Sequence, residues 1–162
     1  MIKKIMKTYV ITLSKVFPKT HAKAGKETSF DLKFAFGLAN IIGGKFHTIR
    51  ANYELWRKRF EEIKSGCAKL SVRQWSGKPY RSKQLLLSDL DINDGIGLQC
   101  LTFPNFALDA VEIDGHPFEI SEETLVNIAG NDGLDLDDWR EWFKNYDLTK
   151  PMAIIHFTKF RY

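Results

Sequence analysis

Residues 43–50, GGKFHTIR, decide how this chain is read. Two glycines run into Lys45. Phe46, His47, Thr48, Ile49 and Arg50 then supply the β-branched and apolar content of a short strand, with a cation on either side of a lone threonine. In an ideal strand Lys45 and Thr48, three residues apart, point to opposite faces. They converge only if the backbone bends at the strand entry, which the two glycines permit. Spacing alone leaves two readings open: a strand edge with solvated cations, or a pocket that gathers an amine, a hydroxyl and a guanidinium.

The flanking sequence punctuates clearly. Upstream, TYVITLSKVF (8–17) reads as a first strand and PKTHAKAGKETS (18–29) as a polar loop. Ser29 or Asp31 is a candidate cap for a helix over 30–42, which Gly43 and Gly44 would end. Downstream, Tyr53, Trp56, Phe60 and Ile63 fall on one helical face within 52–66, with Gly66 as the stop. AKLSVRQW (68–75) and YRSKQLLLSDL (80–90) form a predicted hairpin across SGKP. GIGLQCLTF (95–103) and DAVEIDGHPFEI (109–120) are two more strand regions, the second turning at Asp114–Gly115. Ser121 opens a capping-box pattern, 135–146 is a helical piece with acids in its first turn, and MAIIHFTKFRY closes with a strand. Some six short strands with a few helices predict an α+β fold, a small and mostly antiparallel β-barrel with peripheral helices, as one domain over 1–162.

Composition narrows the class. With 44% hydrophobic and 27% charged residues the chain is that of a soluble globular protein. The apolar run of the basic N-terminus is broken by Lys7, Thr8 and Ser14, which argues against a signal peptide, and no run is long enough for a membrane helix. Cys67 and Cys100 are too few and too separated for a disulfide scaffold, so a reducing cytoplasm is the default expectation. Residues 1–84 carry 19 Lys/Arg against 5 Asp/Glu, and residues 85–162 carry 5 against 15. That asymmetry fits a basic face suited to phosphates, with Arg57, Arg73, Lys78 and Arg81 as candidates, or two halves that neutralise each other across the fold.

Metal and cofactor chemistry find little support. His21, His47, His116 and His156 lack the short ligand spacings of zinc sites. DLDINDGIG (89–97) has Asp94 where a calcium loop needs Gly, and Cys100 where it needs Glu. No metal and no cofactor is expected. Trp56, Phe60, Trp139, Trp142 and Phe143 stand at helical spacing and read as core, whereas Tyr53, Trp75 and Tyr80, near Arg57, Arg73, Lys78 and Arg81, either pack in the core or at the barrel rim or stack a nucleobase.

The segment 43–50 fits G-x-K-x-x-[E/T]-x-R and resembles the ASCH domains of the PUA-like barrel superfamily. Threonine at the sixth position, within K-x-x-T-I-R, is similar to the small bacterial amidohydrolases that deacetylate acetylcytidine. The resemblance implies a PUA-like barrel and a catalytic trio of lysine base, threonine nucleophile and acidic proton donor. Lys45 and Thr48 take the first two roles. The third falls in AGNDGLDLDDWREWF, on Asp132, with Asp135 as its competitor; the family acid is Glu, one methylene longer. Arg50, Arg73, Trp75 and Tyr80 are the substrate-binding candidates. The partner implied is a modified nucleoside or RNA, and the alternatives that remain are a non-catalytic RNA- or nucleotide-binding module and a structural partner-binding domain.

Overall fold

The computed structural model describes residues 5–118 and 121–162; residues 1–4 of the basic N-terminus and 119–120, the end of one predicted strand region, lie outside them. The described chain holds eight strands and four α-helices. Strands β1 (Lys7–Leu13), β2 (His47–Arg50), β3 (Ala68–Trp75), β4 (Gln84–Leu90), β5 (Gly97–Thr102), β6 (Glu112–Ile113), β7 (His116–Pro117) and β8 (Met152–His156) build two sheets. One has the order β1-β3-β4 and the other β2-β8-β5-β6-β7. Helices α1 (Phe30–Leu38) and α2 (Tyr53–Lys64) flank β2, while α3 (Glu122–Asn131) and α4 (Leu136–Phe143) precede β8.

The fold is α+β with mostly antiparallel sheets. The exception is β1 on β3, which run parallel from Lys7↔Ala68 to Leu13↔Gln74. A parallel pair needs a long crossover, and here residues 14–67 provide it, so β2 lies inside the crossover. The hairpin β3–β4 forms, but its connection runs over 76–83, longer than the predicted SGKP, and β4 starts at Gln84 instead of 80; Asp114–Gly115 joins the two short strands β6 and β7. Among the described residues no ladder joins the two sheets, so the predicted barrel is not closed by strand pairing. Arg50 of β2 instead donates from Nη2 to the Thr12 carbonyl of β1 at 2.6 Å, a side-chain stitch across one seam.

Both sheets contribute to one hydrophobic cluster. Ile11, Leu13, Leu70 and Val72 come from the first, Ile49, Leu101 and Ile154 from the second, with Phe34, Phe60, Ile63, Trp139 and Phe143 filling from the helices. The α2 face read from the sequence is buried as expected at Trp56, Phe60 and Ile63, and the Asn52 side chain caps it by accepting from Leu55 N–H at 3.2 Å. Helix α1 stops at Leu38, short of the predicted 42, because Asn40 turns left-handed (φ 55°) and the chain must fold back on Gly37. Ser29 occupies the cap position without a capping bond; Thr28 Oγ1 accepts from Phe30 N–H instead. No helix is long and apolar enough to cross a membrane among the described residues.

Candidate functional site

The glycines at 43–44 act through different means. Gly43 has φ 88°, the left-handed region that a side chain disfavours. Gly44 lies against Gly37, where an added Cβ would stand 2.4 Å from the Gly37 nitrogen. This contact turns the chain so that Lys45 N–H donates to Lys33 C=O at 2.7 Å and Phe46 N–H to Asn131 C=O at 2.8 Å. Lys45 therefore precedes β2 and escapes the alternation that would have set it opposite Thr48. From His47 onward the chain pairs with β8, Thr48 facing Ile155 and Arg50 facing Ala153 in register.

Lys45, Thr48, Arg50 and Asp132 line one cavity of about 130 Å³, walled by Leu13, Phe30, Leu134, Trp142, Phe143 and Tyr146. Lys45, Thr48 and Asp132 are 2%, 5% and 3% exposed, so solvent does little to screen charge here. Lys45 Nζ donates to Asp132 Oδ1 at 2.8 Å and to the Asp132 carbonyl, and lies 4.4 Å from the centre of the Phe30 ring. Asp132 is the residue that closes α3, and the turn through Gly133 (φ 85°) presents its backbone carbonyl and one carboxylate oxygen to the amine. Arg50 Nε donates to Thr48 Oγ1 at 3.4 Å, which leaves the hydroxyl proton free to be given away.

The contact expected between the Lys45 amine and the Thr48 hydroxyl is not made; both hydrogen bonds of the amine go to Asp132. The physical reason is the placement of Asp132 at the end of α3, directly against Nζ. An ammonium has three donors, so one is still unassigned. Burial drives the pair toward neutrality. It pushes the Lys45 amine below its usual range, with Arg50 and Lys33 adding to the push, and it raises the Asp132 carboxyl against the opposing pull of Lys45 and Arg50. Asp135 stands apart from the cavity: its carboxylate caps α4 by accepting from Asp138 N–H at 2.8 Å, and its side chain is mostly exposed.

Behind this pair runs a buried polar cluster that the sequence did not announce. His47 Nδ1 lies 3.9 Å from Asp132 Oδ1, and its Nε2 is 2.7 Å from the Tyr162 hydroxyl, which also accepts from Asn131 Nδ2 at 3.0 Å. With Asn131 donating to it, the Tyr162 hydroxyl has its proton free to give to His47 Nε2, which would leave the Nδ1 proton turned toward the carboxylate. Burial, together with His156 and Lys45, holds the His47 imidazole neutral, well below its usual range.

The remaining predicted ligands stand elsewhere. Arg73, on β3, donates to Ser71 Oγ at 2.9 Å and to Gln84 Oε1 at 3.1 Å, and does not line the cavity. Trp75 and Tyr80 do pack together, ring centroids 5.2 Å apart, but at the β3–β4 turn. Arg57 is held by Glu54 and Glu61 on its own helix. No group of three or more potential metal ligands occurs among the described residues. Sequence reading missed Phe30, Trp142 and Tyr146 as cavity wall. Trp142 belongs to α4, whereas Tyr146 lies beyond its end at Phe143, so helical spacing alone could not have joined them to one wall. Compared with protein-family models, with curated proteins and with solved structures, the chain matches none.

Proposed function

We propose that this protein is a PUA-like ASCH domain that hydrolyses an acyl-amide on a modified nucleobase of the acetylcytidine kind. The observation that carries the reading is the enclosed cavity in which Lys45, Thr48, Arg50 and Asp132 meet, with burial lowering the amine and raising the carboxyl. A lysine works as a base only when its pKa is brought toward neutrality, and a carboxyl donates only when it is brought up. The two sheets stitched by Arg50 are compatible with an opened barrel of that class.

In this reading Thr48 Oγ attacks the amide carbon while its proton passes to Lys45, directly or through one water. The oxyanion formed lies against the Arg50 guanidinium. The C–N bond then breaks as Asp132 gives its proton to the departing exocyclic nitrogen, and cytidine leaves. Lys45 returns its proton to Asp132 across their 2.8 Å hydrogen bond and is again a base; it then takes a proton from water, whose attack cleaves the threonyl ester, releases acetate and returns that proton to the Thr48 oxygen. The net reaction consumes one water.

Thr48→Ala and Lys45→Ala should each lower kcat/KM on acetylcytidine by at least about a hundredfold. The double variant should be no worse than the weaker single one, because neither group acts without the other. Asp132→Asn should cost most on substrates with poor leaving amines. Steady-state assays of the wild type and these variants on acetylcytidine and other acylated nucleosides test the reading. Absence of wild-type turnover on all of them would defeat it.

A further inference from the structure

Between β3 and β4 the chain reads SGKPYRSK (76–83), with three cations and no carboxylate. Several surface cations elsewhere are answered by acids: Lys7 by Glu62, Lys23 by Asp138, Lys69 by Asp89, Lys144 by Glu141. Among the described residues Lys78, Arg81 and Lys83 have no acidic partner, and all three are exposed. Lys15 joins them by donating its ammonium to the Ser76 carbonyl at 3.3 Å. Like charges gathered without counter-charge repel each other and attract a polyanion.

The turn is also built to stay in place. Ser76 N–H donates to Lys83 C=O at 2.9 Å, Gly77 N–H to Ser82 Oγ at 3.0 Å, and Ser82 Oγ to Lys78 C=O at 2.8 Å. At its tip Tyr80 holds φ 63°, a rare conformation for a bulky residue, and its side chain is 89% exposed. The ring touches Trp75, centroids 5.2 Å apart, yet leaves most of its surface in water. A ring offered for stacking beside Trp75 gives the strain a use. The turn adjoins the cavity rim, because Leu13 pairs with Gln74 at the end of β3, and Leu13 and Ser14 line the cavity.

We infer that the β3–β4 turn is a docking surface for a single-stranded polynucleotide. Lys15, Lys78, Arg81 and Lys83 take its phosphates, and Tyr80 with Trp75 stacks an unpaired base. Cations alone would suit any polyanion; the exposed ring selects a strand whose bases are free, since a duplex hides their faces. The inference rests on the turn's own residues and stands whether or not the cavity is hydrolytic.

Fluorescence anisotropy of labelled oligouridine RNA and oligothymidine DNA of about 12 nucleotides, against the whole chain, tests it. Affinity should fall tens-fold between about 50 and 200 mM salt. Lys78→Glu with Arg81→Glu should weaken binding at least about tenfold and flatten the salt dependence by about two in slope. Tyr80→Ala should cost about fivefold or more with the slope kept, which separates stacking from charge. The RNA and DNA arms identify the strand. No binding at low salt, unchanged affinity in these surface variants, equal affinity for duplex, or binding only to phosphatidylserine vesicles would each overturn the inference. Because the readout is binding, failure of the hydrolase reading would leave it untouched.

Discussion

Gln99 fixes the state of His156. Its Oε1 accepts from Tyr162 N–H and sits 2.9 Å from His156 Nε2, while its Nε2 donates to Asp114, so the histidine carries its proton on Nε2. Nδ1 is left buried and unpartnered. Burial accordingly lowers the His156 pKa from 6.5 to about 3. Below pH 6.5 the unfolded chain takes a proton that the folded one refuses. The stability this group contributes is therefore complete above its unfolded value and is lost as pH falls toward its folded value. His47 acts in the same direction. Urea midpoints should fall as pH drops below about 6.5, with His156 costing on the order of 2 kcal/mol by pH 5. His156→Gln should flatten that acid limb. If variant and wild type lose stability with equal slope, His156 is not its source.

At the scale of elements, the contact between α1 and the entry to β2 is the most demanding. A Cβ on Gly37 would come 2.2 Å from the Lys45 carbonyl oxygen, and that obstacle is backbone. Gly37→Ala should destabilise by about 1–3 kcal/mol and displace Lys45 from Asp132, which denaturation and a chemical-shift map of the cavity would reveal. Gly25→Ala serves as the comparison, since that glycine has a positive φ but open space around it. Gly37 also shows where sequence reading stops. The helical face of α2, the β3–β4 hairpin and the Asp114 turn were legible because local pattern determines them. The end of α1 was not, because it is set by a backbone contact with residues seven and eight positions further on. In the site, Lys45, Thr48 and Asp132 were readable from one short motif and its distant acid, and the cavity does gather them. The capture of the amine by the carbonyl and one carboxylate oxygen of Asp132 was hidden, as was the His47–Tyr162–Asn131 cluster, since each depends on how α3 and the last residues close over β2.

For the molecule as a whole, the seam between the sheets at Arg50 is a single charged hydrogen bond to the Thr12 carbonyl. Arg50→Met should lower stability by about 1.5–3 kcal/mol and loosen β1 relative to β2. Hydrogen exchange would register this as faster exchange at the seam with the interior of the β5–β8 ladder unchanged; uniform acceleration would mean that Arg50 supports the whole fold and not the seam. The parallel pairing of β1 with β3 has a consequence in time. Its crossover, residues 14–67, contains the motif strand, both early helices and the backbone contact of Gly37 with Lys45. Closing so long a loop is entropically slow, whereas the β3–β4 hairpin forms from neighbours in sequence. Refolding should thus complete the β3–β4 hairpin early and the pocket late, so that the last feature the chain acquires is its buried charge and not its scaffold.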